Sequence, residues 1–402
     1  MFDKAKTFVR DLLRTLPLVP WFLLRLVLFK QESRGMVQDP IKGRALVILT
    51  NAIGDTVTAL PALQCVVQQQ RPMKVDVLVR PKTAPLFKFV PGVGDVVPLK
   101  KLSFPFKLTA LLSNIVALRE LRRRRYQSAI IFASNFWTAW VAFLVGAGQR
   151  YGFSRTENVG LITIRDFDFL LTHDKKEIKS RNYAEAHFEF LDWLHRGANE
   201  PRTLPQLKLD DAGQNTGTLA DERPIVVLNP FASQRIREWP LEHWIELASA
   251  LAEHHALVVL CCEAAQEKRL LSALNGEQSS ILVFSDLGLE DFICLLSTAT
   301  SVVTNDSGPL HLSYSLGKPS VAIFGPTDPD NVIPNGADVT VVRNQIECSP
   351  CVQLGSFERC PLTHHLCLRE IGVDEVLNPL LVQLRLTELR APVTVCSTVG
   401  QR

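Results

Sequence analysis

The chain has 402 residues, 47% of them apolar and 21% charged, which excludes a disordered or collagen-like chain and suggests about two or three domains. Its formal charge of +3 is too slight for a nucleic-acid surface, and basic residues do not interleave with aromatic ones, so no nucleic acid is expected as a partner. Nine cysteines in a chain of this length do not resemble a secreted disulfide framework and indicate a reducing compartment.

Residues 1–40 differ from the rest. Lys4, Lys6, Arg10 and Arg14 precede an apolar run from Leu16 to Phe29, interrupted by Pro17, Pro20 and Arg25. The run falls short of the roughly 20 apolar residues that span a bilayer, and no small-residue cleavage site follows it. The segment reads either as an interfacial anchor on an anionic leaflet or as a helix packed on the protein itself.

From Ala45 short β-branched or Leu-rich runs alternate with longer helical-period segments, the pattern of a parallel sheet covered by helices. Strands are predicted at Ala45 to Thr50, Val75 to Val79, Val96 to Leu99 and Ser128 to Phe132, with helices near Thr58 to Gln70 and Leu108 to Arg125. The basic run Arg122 to Arg125 suits the C-terminal end of the second helix. Residues 201–224, rich in Pro, Asp, Gly, Asn and Thr, read as a linker. The alternation then restarts, with strands at Ile225 to Asn229, Ala256 to Leu260, Ile281 to Phe284, Ser301 to Thr304 and Ser320 to Phe324. An amphipathic segment from Val373 to Leu389 is free to pack on either domain, and the tail after Pro392 reads as loose. The fold class is therefore α/β, two doubly wound Rossmann-like domains facing a central cleft: an N-terminal segment 1–40, domains at 41–205 and 222–372, and a helix and tail at 373–402.

Three loops carry chemistry. Asn51-Ala52-Ile53-Gly54-Asp55 follows the first strand. Gly54 permits a tight turn, and Asp55 is either a helix N-cap or a carboxylate able to take a proton from a hydroxyl. One glycine is too few for a dinucleotide turn, which argues against a nicotinamide enzyme. The second unit opens with a loop carrying Ser233, Arg235 and Arg237, a hydroxyl and two guanidinium forks suited to a diphosphate. Asn305-Asp306-Ser307-Gly308-Pro309-Leu310-His311 lies between a strand and a helix. Asp306 or Ser307 can cap there, Pro309 fits the first turn, and Gly308 lets an anion approach backbone N–H groups. Gly325-Pro326-Thr327 adds a second polar loop at the same sheet edge, whereas a lone His311 is more often packed than catalytic.

Together the Gly54-Asp55 loop with Pro61-Ala62-Leu63, the turn Arg237-Glu238-Trp239-Pro240, and Asp306 to His311 with Phe324-Gly325-Pro326-Thr327 resemble glycosyltransferase family 9, which contains the ADP-heptose:lipopolysaccharide heptosyltransferases. The resemblance runs in order from about Ala45 to about Ile371. It implies a GT-B fold and an inverting transfer with no metal or other cofactor in catalysis, from a nucleotide diphosphate sugar, ADP-heptose by family, to a lipid-linked saccharide of the lipopolysaccharide core. It also implies a cytoplasmic enzyme, peripheral on the inner membrane face.

In this resemblance Asp55 matches the general base, with Asn51 and Gly54 in the acceptor loop. Arg237 stands where Lys is common and would bind the donor phosphates, an exchange that keeps charge but changes geometry. Ser233, Asp306, Ser307, Gly308, His311 and Thr327 line the donor side, and Glu263 and Glu267 are candidates for the ribose. Cys348, Cys351, Cys360 and Cys367 have the spacing Cys-x2-Cys-x8-Cys-x6-Cys, compatible with a structural zinc site, with free thiols or with a disulfide. Two other readings stay open at this point: a nucleotide-sugar epimerase of the same fold, and a non-catalytic glycolipid-binding member.

Overall fold

In the computed structural model, the described residues run from 43 to 389, except 70–73, 101–107, 133–134, 154–156, 160–161, 165–169, 176–177, 196–200, 210–220, 275–280 and 352–358. The proposed anchor in residues 1–40, part of the linker and the tail after Pro392 lie outside them. No helix among the described residues is long and apolar enough to cross a membrane.

The first half contains strands β1 (Ala45–Leu49), β2 (Val75–Val79), β3 (Val93–Pro98), β4 (Ser128–Ile131), β5 (Gln149–Gly152), β6 (Glu157–Val159), β7 (Ile162–Ile164) and β8 (His173–Asp174). Its helices are α1 (Ile53–Gln69), α2 (Leu108–Arg123), α3 (Phe136–Val145) and α4 (Tyr183–Leu194). Six strands form a parallel sheet in the order β3-β2-β1-β4-β5-β8, and β6 and β7 pair as a separate antiparallel hairpin.

The second half repeats the plan with β9 (Ile225–Asn229), β10 (Leu257–Cys262), β11 (Ile281–Ser285), β12 (Ser301–Asn305), β13 (Ser320–Phe324) and β14 (Val339–Arg343). They pair in parallel in the order β11-β10-β9-β12-β13-β14. Helices α5 (Leu241–Glu253), α6 (Ala264–Leu274), α7 (Leu289–Thr298), α8 (Gly308–Ser315), α9 (Pro329–Val332), α10 (Leu366–Arg369) and α11 (Val373–Leu389) complete it.

Both sheets thus have the doubly wound order in which the chain leaves in opposite directions from two adjacent central strands, opening a crevice at their carboxyl ends. Those strands are β1 with β4 and β9 with β12, and the loops after β1, β9 and β12 are the three singled out from sequence. β1, β2 and β9 are buried at every position, which explains why they read as largely apolar runs rather than alternating ones, with Asp76 of β2 buried as a partner of Arg44, Arg124 and Tyr126.

One apolar cluster holds Val47, Leu60 and Phe89 of the first half together with Val227, Val302 and Leu310 of the second. The opposite face of the second sheet packs against α5 and α11 through Trp244, Leu247, Val376 and Leu380. This assigns α11, which the sequence left free to join either domain, to the second sheet.

Candidate functional site

Helix α1 begins at Ile53, five residues before the predicted start, so Asp55 is not an N-cap. It occupies the third helical position at the mouth of the cleft, where the residue keeps some access to solvent while its carboxylate is crowded by protein and accepts from the Ala52 backbone N–H. Its pKa is raised above the ordinary carboxyl value because surrounding protein strips away solvent. The Ala52 hydrogen bond and the cations Arg80 and Arg237 oppose that rise, and Asp306 adds to it. Asp55 belongs to the first half of the chain, whereas Arg237 and Asp306 belong to the second, so the carboxylate faces the opposite domain.

Gly54 permits this approach. A Cβ there would lie 2.7 Å from Cδ2 and Nε2 of His311 on α8. The imidazole is buried, its Nδ1 lies 2.6 Å from the Tyr314 hydroxyl, and burial lowers its pKa to about 4. His311 is therefore a neutral seam residue packed on the Gly54 backbone, in agreement with the packed reading of its sequence position.

On the other side Asp306 organises the loops. Its Oδ2 accepts from the Thr327 hydroxyl at 2.6 Å and pairs with Nη1 of Arg237 at 3.2 Å. Neither Asp306 nor Ser307 caps α8 through its side chain. Ser307 is the N-cap residue by position, but its hydroxyl lies 3.1 Å from the Thr304 hydroxyl, so the N–H groups of the first turn are not taken by a side-chain cap. Gly308 is less confined than the sequence suggests, since a Cβ there would meet Ile53 only at ordinary contact distance, 3.7 Å.

Asn305, which the sequence did not single out, ties the loops together. Its Oδ1 accepts from the Trp239 N–H at 3.0 Å and its Nδ2 donates to the Pro230 carbonyl at 3.0 Å. Around this junction Nε of Arg237, Oε1 of Gln234 and Nδ2 of Asn229 are buried without a hydrogen-bond partner. Orphaned polar atoms of this kind cost free energy unless a ligand or solvent satisfies them, and a guanidinium beside an open helix N-terminus suits an anion.

The remaining residues are dispersed. Ser233 is exposed on the loop after β9, and Glu263 is exposed after β10. Glu267, in the first turn of α6, accepts from the Ser285 hydroxyl at 2.7 Å. Asn51 is half-buried beside Asp55. Sequence reasoning missed Arg80 at the end of β2, one residue past the register pair Leu49 and Val79, and Tyr183 at the start of α4. The Tyr183 phenol has its pKa pushed up to about 12 by burial and by the carboxylates of Asp55 and Asp306, with Arg237 opposing. A cation at a strand's carboxyl end is a usable sequence signal in this fold, whereas Tyr183 approaches only through tertiary packing.

Cys348, Cys351, Cys360 and Cys367 are free thiols. Burial raises the Cys367 pKa to about 11, with the other three adding to it, so they are neighbours. No three His, Cys, Asp or Glu side chains converge as metal ligands among the described residues. The segment braces the loops after β9 and β13: the Cys351 N–H donates to the Pro326 carbonyl at 3.0 Å, the Ser349 hydroxyl to that of Gly325 at 2.6 Å, and His365 Nε2 to that of Ile236 at 2.6 Å.

The family model "Glycosyltransferase family 9 (heptosyltransferase)" matches residues 116–361. The chain belongs to this family. It is 28% identical over 315 residues, 75% of this chain and 88% of the relative, to lipopolysaccharide heptosyltransferase 2 of Escherichia coli K12. It is 24% identical to lipooligosaccharide heptosyltransferase 2 of a Campylobacter jejuni strain, over 81% of this chain and 93% of that one. Among solved structures, E. coli ADP-heptose lps heptosyltransferase II superposes with a TM-score of 0.69 at 24% identity, covering 86% of this chain and all of that one. A glycosyltransferase of the family from Veillonella parvula gives 0.68 at 16% identity, covering 89% and 99%. The protein is a glycosyltransferase with the two-sheet architecture of the family 9 heptosyltransferases.

Proposed function

We propose that the enzyme transfers heptose from ADP-heptose to the lipopolysaccharide core, or to a related lipid-linked saccharide, by an inverting mechanism that needs no metal. The observation that carries this reading is the opposition of Asp55 to the Arg237–Asp306–Thr327 junction across the seam.

In this mechanism Asp55 accepts the proton of the acceptor hydroxyl. The hydroxyl oxygen attacks the anomeric carbon on the face opposite the diphosphate, the bond from that carbon to the phosphate oxygen breaks, and ADP departs with the electron pair. Arg237 and the first-turn N–H groups of α8 meet the charge that grows on the leaving oxygens. Asp306 and Thr327 hold Arg237 in place, and Glu267, in the first turn of α6, suits a ribose hydroxyl. The lipid-linked acceptor would bring the enzyme to the cytoplasmic face of the inner membrane as a peripheral protein. The heptosyltransferase names of the curated relatives support donor and acceptor class.

Calorimetric titration with ADP, UDP and GDP in the presence of a chelator tests the donor side. The expected result is selective binding of ADP that weakens at least tenfold in Arg237→Ala, since losing a charge-assisted contact costs about 1.5–3 kcal/mol. Absence of binding by any of the three would refute the assignment, and an isomerised nucleotide sugar formed without acceptor would replace transfer with epimerisation.

A further inference from the structure

Asn182 precedes α4 and is its N-cap, with Oδ1 accepting from the Ala184 and Glu185 N–H groups. The other side of the same amide crosses the seam. Its Nδ2 donates to the carbonyls of Asp330 and Ile333, both at 2.8 Å. Those carbonyls belong to α9 and its C-terminal flank, which follow the Gly325–Thr327 loop directly, while α4 packs on α1, the helix that carries Asp55. One side chain therefore fixes the start of α4 to both halves of the molecule. Tyr183, the first residue of that helix, is half-buried and packs against the apolar cluster that both halves share.

We propose that Tyr183 is a further catalytic residue of the transfer reaction, its hydroxyl donating a hydrogen bond to the donor sugar diphosphate, and that Asn182 is the interdomain latch that positions it. The proposal rests on the glycosyl-transfer reading above and adds a residue to it. A phenol suits this place. Burial and the neighbouring carboxylates push its pKa up to about 12, so it keeps its proton at neutral pH and serves as a donor. A phenolate would add charge beside Asp55, Asp306 and the departing diphosphate. A donor aimed at the leaving oxygens is worth most in the transition state, where their charge has grown.

Two variants of the full-length chain separate the roles. Tyr183→Phe removes only the hydroxyl. Asn182→Ser keeps a capping oxygen but loses both bonds across the seam. With ADP-heptose and a glycolipid acceptor, Tyr183→Phe should bind ADP within about twofold of wild type while kcat falls at least about tenfold, the factor one hydrogen bond to a charged group carries. Asn182→Ser should show the same loss in kcat, with a cooperative melt proving that it is folded. Kinetic constants of Tyr183→Phe within twofold of wild type would overturn the role of the tyrosine. If wild type itself transfers nothing, the reaction assignment fails and the tyrosine role that rests on it falls too. The latch is then judged by amide hydrogen exchange: the amides of α9 and its C-terminal flank must exchange faster in Asn182→Ser than in wild type, and equal rates refute it.

Discussion

At the scale of single residues, Asp55 carries the sharpest consequences. Its pKa is raised mainly by desolvation, so the acidic limb of kcat/KM should lie above the ordinary Asp range near 3.9, with activity falling as pH drops through the shifted value. The stability effect has the opposite sense. A carboxyl whose folded pKa is raised adds stability below its unfolded pKa and loses that contribution as pH rises through the folded value. Asp55→Asn should therefore abolish most turnover, about 10²–10⁴-fold for a general base, without lowering the thermal midpoint at pH 7. A pH profile with its limb unmoved from 3.9, or an Asn variant that melts well below wild type, would count against the assignment. Gly54→Ala tests the neighbour. The added Cβ meets a ring already held at Tyr314, 2.6 Å from its hydroxyl, and overpacking of this kind costs about 1–3 kcal/mol. Pairing it with His311→Ala should recover part of the loss, and additive melting shifts would show that the contact is not the cause.

At the scale of elements, the sequence was most informative where local chemistry and tertiary role coincide. β2, β9, β13 and α11 fall where their apolar patterns put them, because a strand buried on both faces is largely apolar and a helix packed on a sheet carries an apolar stripe. α1 began five residues earlier than predicted because Gly54 and Asp55 read as turn chemistry, yet tertiary packing draws them into the helix. The short strands β5 and β8 and the β6–β7 hairpin gave no run long enough to detect. The braces of the loops after β9 and β13 were illegible for another reason: His365 reaches Ile236 across 129 residues, a pairing that no local pattern encodes. His365→Ala should weaken ADP binding by up to about tenfold without touching the ligand, since a neutral hydrogen bond contributes about 0.5–1.5 kcal/mol. Calorimetry giving an unchanged Kd would mean that the Arg235–Arg237 turn holds its shape unaided.

At the scale of the whole molecule, the question is what makes two similar halves behave as one body. The salt bridge between Lys88 and Glu290, 2.6 Å long, crosses between them, but its side chains are 66% and 40% exposed, and pairs of that kind contribute little. The seam depends instead on burial, on backbone bonding and on the two bonds that the Asn182 amide makes across it. The apolar cluster under the first sheet continues into the second and takes in Leu207, whose N–H donates to the Ser315 carbonyl at 2.9 Å, while the Lys208 N–H donates to Phe89 on the other side at 3.0 Å. The described end of the segment read as a linker is thus part of the packing between domains. Interfaces within a chain are ordinarily polar enough for domains to move and melt separately, and a shared core removes that independence. Calorimetric unfolding should therefore give one transition at neutral pH, unmoved by Glu290→Gln to within a degree or two. Saturation with ADP at about 100 times its Kd should shift the whole transition upward by about 2.7 kcal/mol of stability. Two resolved peaks, with ADP moving only one, would show that the halves are coupled weakly and that the seam forms after each has folded.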